Sequence, residues 1–130
     1  MSSALSEPRL KGMNTQRQDL LAFQWSVYPE AHQSRRNLWI HLLTVPVFMA
    51  GSIALLASPW LGVSTALAGV LAMLTALGAQ GRGHRLEPKP PAPFRGPLDI
   101  VLRIFAEQWI TWPRFVLSGG LRRALQPAGY

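Results

Sequence analysis

From Asn37 to Gly81 the chain carries no Asp, Glu, Lys or Arg. A soluble core helix still needs a polar face toward water, so an uncharged stretch of this length leaves few folds open. Hydrocarbon about 30 Å thick is crossed by about 20 apolar residues in a helix. "NLWIHLLTVPVFMAGSIALLA", residues 37–57, and "LGVSTALAGVLAMLTALGA", residues 61–79, each supply such a length. The run is therefore read as a membrane hairpin of two spans. Asn37 is placed to cap the first span and Pro46 to kink it. Ser58 and Pro59 are expected to make the turn, with Trp60 as an interface aromatic. Gly62, Ala66, Gly69, Ala72 and Ala76 are small residues at three- and four-residue spacing. They would let the second span pack closely on the first, or form a homo-oligomer with another copy.

The net charge of +7 lies outside the run. Arg9, Lys11, Arg17, Arg35 and Arg36 precede it. Arg82, Arg85, Lys89, Arg95, Arg103, Arg114, Arg122 and Arg123 follow it, and the connection "SPW" has none. That asymmetry predicts an integral membrane protein with both termini cytoplasmic, in the cytoplasmic membrane if the cell is bacterial. The same charges suit anionic lipid. They argue against a nucleic-acid binder, since they flank a hydrocarbon-length segment and no recognition fold is visible. With no cysteine, thiolate nucleophiles, disulfides and zinc–cysteine sites are excluded. The polar stretch "MSSALSEPRLKGMNTQRQ" lacks the apolar centre of a secretion signal.

The expected fold class is all-α: two spans flanked by two interfacial amphipathic helices. Residues 1–13 read as a disordered tail, 14–120 as a single membrane domain and 121–130 as a basic C-terminal tail. Asn14 or Thr15 is placed to cap a first helix reaching Tyr28, with Leu21, Trp25 and Tyr28 on one stripe. That helix would lie on the membrane or pack on protein; periodicity fits both. "GRGHRLEPKPPAPFRGP" is too rich in Gly and Pro for a regular element and reads as a structured loop. A second interfacial helix begins at Gly96-Pro97 and ends near Gly119-Gly120. Leu98, Val101, Leu102, Phe105, Trp109 and Trp112 form its stripe, with Asp99, Arg103 and Glu107 off the stripe's centre.

Three histidines, His32, His41 and His84, all fall at the predicted cytoplasmic edge of the hairpin. In one unbroken helix His32 and His41 would point to opposite sides. A break in "QSRRN" would fold His32 back beside His41. His84 and Glu87 are three residues apart, on one face if that turn is helical. Three imidazoles and a carboxylate suit Fe(II), Mn(II) or Zn(II), and histidine–carboxylate sets with open positions serve non-haem iron oxygenases. A lone interfacial histidine is more often a capping or snorkelling group than a ligand. Arg35, Arg36, Arg82 and Arg85 can hold a carboxylate or phosphate at the mouth of such a site, or serve only as topology signals.

"YPEAHQSRRNLWIHLLTVPVFMAG" resembles the tyrosine–histidine–asparagine–histidine–proline signature of the 2-hydroxy fatty acid dioxygenase family, whose fungal member acts in fatty-acid α-oxidation during phytosphingosine breakdown. Tyr28, His32, Asn37, His41 and Pro46 take those places. Gln80, Gly83, His84, Glu87, Pro91 and Ala92 are similar to the family's second signature, and "WPRF", residues 112–115, to a later aromatic Pro-x-Phe. The resemblance spans about residues 23–118. It implies an Fe(II) enzyme that uses O2 to shorten a 2-hydroxy fatty acid, or a related lipid acyl chain, by one carbon. It implies His32, His41 and His84 as iron ligands and Glu87 as a fourth ligand or a group supporting them. Arg36 is the residue expected to hold the substrate's carboxylate. The chain departs from fungal members in having two spans and no further histidine, and its histidine-to-glutamate spacing is one residue shorter. The contrasting expectation is a non-catalytic hairpin that binds lipid or a partner protein.

Overall fold

The computed structural model of the protein describes residues 19–127, and these are helical with no strand. The expected caps at Asn14 and Thr15 and the tail over residues 1–13 lie outside the described residues. In chain order, α1 is Leu20–Val27, a 3-10 turn covers Pro29–Ala31, α2 is Arg35–Leu61 and α3 is Val63–His84. Then α4 is Pro97–Ala106, a π-helical turn covers Glu107–Thr111, α5 is Trp112–Leu117 and α6 is Gly120–Leu125.

Helices α2 and α3 form the antiparallel hairpin. They have 27 and 22 residues, or about 40 and 33 Å at 1.5 Å per residue. Both are long and apolar enough to cross a membrane, and only 28% and 17% of their apolar windows are buried, unlike the mostly buried core helix of a soluble protein. Trp39, Leu43, Leu56, Leu67, Leu71 and Leu74 all point outward. Both helices outrun the boundaries expected from sequence. Ser34, not Asn37, caps α2, its side chain accepting from the Asn37 N–H. At the far end α2 continues through Ser58 and Pro59. Pro59 cannot donate to the Leu55 carbonyl, but the Ser58 hydroxyl does so at 2.7 Å, so the helix loses little there. The chain reverses instead at Gly62, whose φ of 106° is costly for other residues. Helix α3 runs on through "QGRGH", so His84 stands on its last turn and not in a loop.

Glycine sets the spacing of the hairpin. A Cβ on Gly69 would meet the Gly51 carbonyl oxygen at 2.6 Å, and one on Gly51 would meet the Gly69 carbonyl oxygen at 2.7 Å. Small residues here let two backbones touch.

The remaining elements cover one end of the hairpin, where α2 begins and α3 stops. Tyr28, Leu38, Val45, Trp112, Phe115 and Leu121 form the apolar core there. Polar pairs tie cover to hairpin: Gln80 and Gln108 exchange amide hydrogen bonds at 3.0 and 2.6 Å, and Trp109 Nε1–H donates to Ser52 Oγ at 3.2 Å. Gln24 accepts from the Thr111 hydroxyl and donates to the Arg103 carbonyl. The helix expected after Gly96-Pro97 is not continuous. Its π-helical turn adds a residue to the register, so Gln108 and Thr111 face inward while Leu98, Val101, Leu102 and Trp109 stay exposed. Residues 120–125, expected within a helix end and a tail, form α6, and Arg35 donates to its Leu125 carbonyl.

Leucine at position 69 must push against backbone that cannot rotate away. Gly69→Leu is expected to destabilise the detergent-solubilised protein by about 2 kcal/mol or more, whereas exposed Leu67→Ala costs little. Comparing thermal or denaturant midpoints of the two variants checks this.

Candidate metal centre

The antiparallel hairpin places the start of α2 beside the end of α3. His41, one turn inside α2, and His84 therefore meet, with ring centroids 5.0 Å apart. His32 reaches them because the chain breaks between Ala31 and Arg35. His32 has φ −135° and ψ 59°, outside either helix. Its ring centroid lies 4.8 Å from that of His41 and 5.1 Å from that of His84. The turn anticipated in "QSRRN" thus exists, and the structure brings the three histidines together.

The fourth member was missed from sequence. Glu107, at the start of the π-helical turn, points its Oε1 at His32 Nε2 (3.5 Å) and His41 Nε2 (3.4 Å). One atom from each of His32, His41, His84 and Glu107 lies within 4.8 Å of the others. Glu87, expected as a ligand or supporting group, is not in this set. Its carboxylate accepts from the Gln33 N–H, the Ser34 N–H and Asn37 Nδ2. Arg36 is exposed on the first turn of α2 and stands outside the cavity described below.

Hydrogen bonding fixes the chemistry of two rings. His32 Nδ1 is 2.9 Å from the Tyr28 carbonyl oxygen and His41 Nδ1 is 3.0 Å from that of Asn37. A carbonyl only accepts, so both Nδ1 atoms carry a proton, and each ring turns its Nε2 inward, where a lone pair can serve as a ligand. These two Nε2 atoms and His84 Nδ1 are buried without a hydrogen-bond partner. Lone pairs aimed at a carboxylate oxygen repel it unless a positive charge lies between. A proton would draw the atoms to about 2.7–2.9 Å. Two donors each about 2.1 Å from one ion lie about 3.4 Å apart at a tetrahedral angle, as found here. The residues fit a divalent metal, with the Nδ1–H bonds holding the rings as metal-ligating histidines are usually held.

Aromatic groups seal the set. Tyr28 stacks on His32 at 3.8 Å between centroids, and Trp112 flanks His41 at 5.4 Å. The Tyr28 hydroxyl donates to Glu107 Oε1 at 3.2 Å. Burial, then the charge of Glu107, pushes the Tyr28 hydroxyl well above its ordinary pKa, so it stays a donor.

A cavity of about 590 Å³ opens from this cluster. His32, His84, Glu107, Arg85 and Arg103 line it together with apolar Phe23, Val27, Leu77 and Ile104. Arg103 holds the proline-rich loop by donating to the Ala92 and Pro93 carbonyls and lying over the Phe94 ring.

Residues 19–116 match the family described as 2-hydroxy-palmitic acid dioxygenase Mpo1-like, and the chain belongs to that family. No curated protein and no solved structure matches it.

If the four groups share one ion, Glu107→Ala is expected to abolish metal retention as fully as His32→Ala, His41→Ala or His84→Ala. Arg36→Ala should leave it unchanged. Metal analysis of the detergent-purified variants checks this.

Proposed function

We propose that the protein is a membrane-embedded, Fe(II)-dependent dioxygenase that shortens a 2-hydroxy fatty acid by one carbon. The observation that carries this reading is the set of three partnerless imidazole nitrogens facing one carboxylate, with His32, His84 and Glu107 opening onto a largely apolar cavity. Family membership supports the substrate class. His32, His41, His84 and Glu107 would hold the iron, whose one-electron chemistry lets O2 react with a closed-shell acid. Zinc has no redox chemistry to offer there.

The reaction balances without an outside reductant. R–CH(OH)–COOH and O2 give R–COOH, CO2 and water; the bond between the carboxyl carbon and C2 breaks, and the acid supplies all four electrons that O2 takes. The chain's residues then have separate tasks. Phe23, Val27, Leu77 and Ile104 bury the alkyl chain, which is the main source of affinity for such a ligand. Arg85 is exposed at the cavity wall beside His84 and is free to meet the carboxylate. It replaces Arg36, which does not reach the cavity, in that role. Tyr28 keeps its proton on the hydroxyl and steadies Glu107 Oε1. Trp112 and Phe115 close the side of the site away from the cavity.

The hairpin is proposed to cross the bilayer with both termini cytoplasmic. The exposed stripe of α4 would rest in the interface, which places the cavity mouth where an amphiphilic acid resides. A reporter joined at Tyr130 is expected to read as cytoplasmic and one inserted at Gly62 as exported; the reverse pattern removes this orientation.

Iron-loaded protein should consume one O2 per 2-hydroxy-palmitic acid and yield the acid one carbon shorter, while palmitic acid is not consumed. Arg85→Gln should raise KM about tenfold with a much smaller change in kcat, since an arginine–carboxylate contact at a partly exposed site is worth about 1–2 kcal/mol. Full iron loading without O2 uptake would favour the non-catalytic lipid-binding alternative.

A further inference from the structure

The break between Ala31 and Arg35 creates a local problem. The N–H groups of Gln33 and Ser34 precede the first turn of α2, where a helix has no partners of its own to offer them. Glu87, three residues beyond α3, meets both. Its Oε2 accepts from Gln33 N at 2.9 Å, and its two oxygens lie 3.0 and 3.1 Å from Ser34 N. A carboxylate at a helix N-terminus also suits the helix dipole.

The same carboxylate accepts from Asn37 Nδ2 at 2.8 Å, and that nitrogen also lies 3.4 Å from the Ala31 carbonyl oxygen. Asn37 is fully buried. Its backbone oxygen accepts the Nδ1–H of His41. Its side chain occupies the space where a Cβ on Gly83 would stand, directly before His84. Glu87 and Asn37 thus form one polar unit beside all three imidazoles. It holds the residue after His32, the carbonyl that orients His41, and the backbone next to His84.

We infer that Glu87 is a positioning residue: with Asn37 it fixes the three histidines, and it does not itself bind the metal. The inference rests on the metal centre proposed above but not on the substrate. Both Glu87 oxygens are already committed to N–H donors, and the ligand-type carboxylate is Glu107. Glutamine at position 87 must turn an NH2 toward one of those donors. Aspartate keeps the charge but is one methylene too short to reach them.

The test is anaerobic titration of Fe(II) into metal-stripped, detergent-solubilised protein. Glu87→Gln, Glu87→Asp and Asn37→Ala are each expected to raise the Fe(II) Kd about ten- to a hundredfold, the usual effect of losing a group that orients a ligand. The Glu87→Gln, Asn37→Ala double variant should be no worse than the poorer single one, because the two residues act as one unit. The ligand-field spectrum of the Co(II)-loaded Glu87→Gln protein should shift, which a loss of stability alone would not cause. Glu30→Gln, removing an exposed carboxylate that faces Lys89, should change neither reading. Wild-type affinity in Glu87→Gln, recovery of wild-type affinity in Glu87→Asp, or multiplying losses in the double variant would overturn the inference. So would a wild-type protein that takes up no Fe(II), which removes the metal centre too. Expected affinities with no turnover of 2-hydroxy acid would sink only the catalytic reading.

Discussion

Three buried ring nitrogens, His32 Nε2, His41 Nε2 and His84 Nδ1, face one another and a carboxylate with nothing to bond to. Each unsatisfied buried polar atom costs about 1–3 kcal/mol, so the three together favour a shared partner. A divalent cation would remove all three costs at once and also offset the Glu107 charge. Much of the rest of the structure supplies the geometry for that one interaction. The hairpin brings His41 to His84, the break before α2 brings His32, and the π-helical turn delivers Glu107. Glycines at positions 51 and 69 let the hairpin close tightly, and Gly83 makes room for Asn37.

The arrangement reverses the pattern of a soluble protein. Apolar side chains cover the outside of the hairpin, and polar ones fill the space between its end and the covering helices. Gln80, Gln108, Gln24, Thr111 and Asn37 are all buried. Most of their polar atoms are paired within the chain, as buried polar groups must be. The covering helices do not simply lie on a membrane. Helix α1 presents Gln24 and, just beyond it, Tyr28 to the site, while α4 keeps its apolar stripe outward and turns Arg103 and Glu107 toward the cavity. A site built this way sets polar groups beside apolar walls.

This reversal explains what the sequence made legible and what it hid. The two spans and the all-α class followed from an uncharged run too long for a soluble core. The histidine cluster followed from three imidazoles at one end of that run and from two separated motifs. Glu107 is hidden in the sequence because Asp99, Arg103 and Glu107 fall off the centre of the apolar stripe, where nothing marks one of them as a ligand, and the stripe's last member, Trp112, turns into the core. With the apolar face outward, the charged edge turns inward, and periodicity does not say which of the two surfaces is the interior. Glu87 stood three residues from His84 and looked like a ligand, but α3 ends at His84, so the carboxylate leaves the helix and crosses to the start of α2. Ser58-Pro59 looked like a turn because proline lacks a donor; a serine hydroxyl on the neighbouring residue supplies one.

X-ray absorption at the metal edge of the Fe(II)-loaded, detergent-purified protein tests the centre most directly. The account predicts one iron per chain, with nitrogen and oxygen neighbours at about 2.0–2.2 Å and the multiple-scattering signature of three imidazoles. An iron surrounded by oxygen alone, or with a single imidazole, would contradict it.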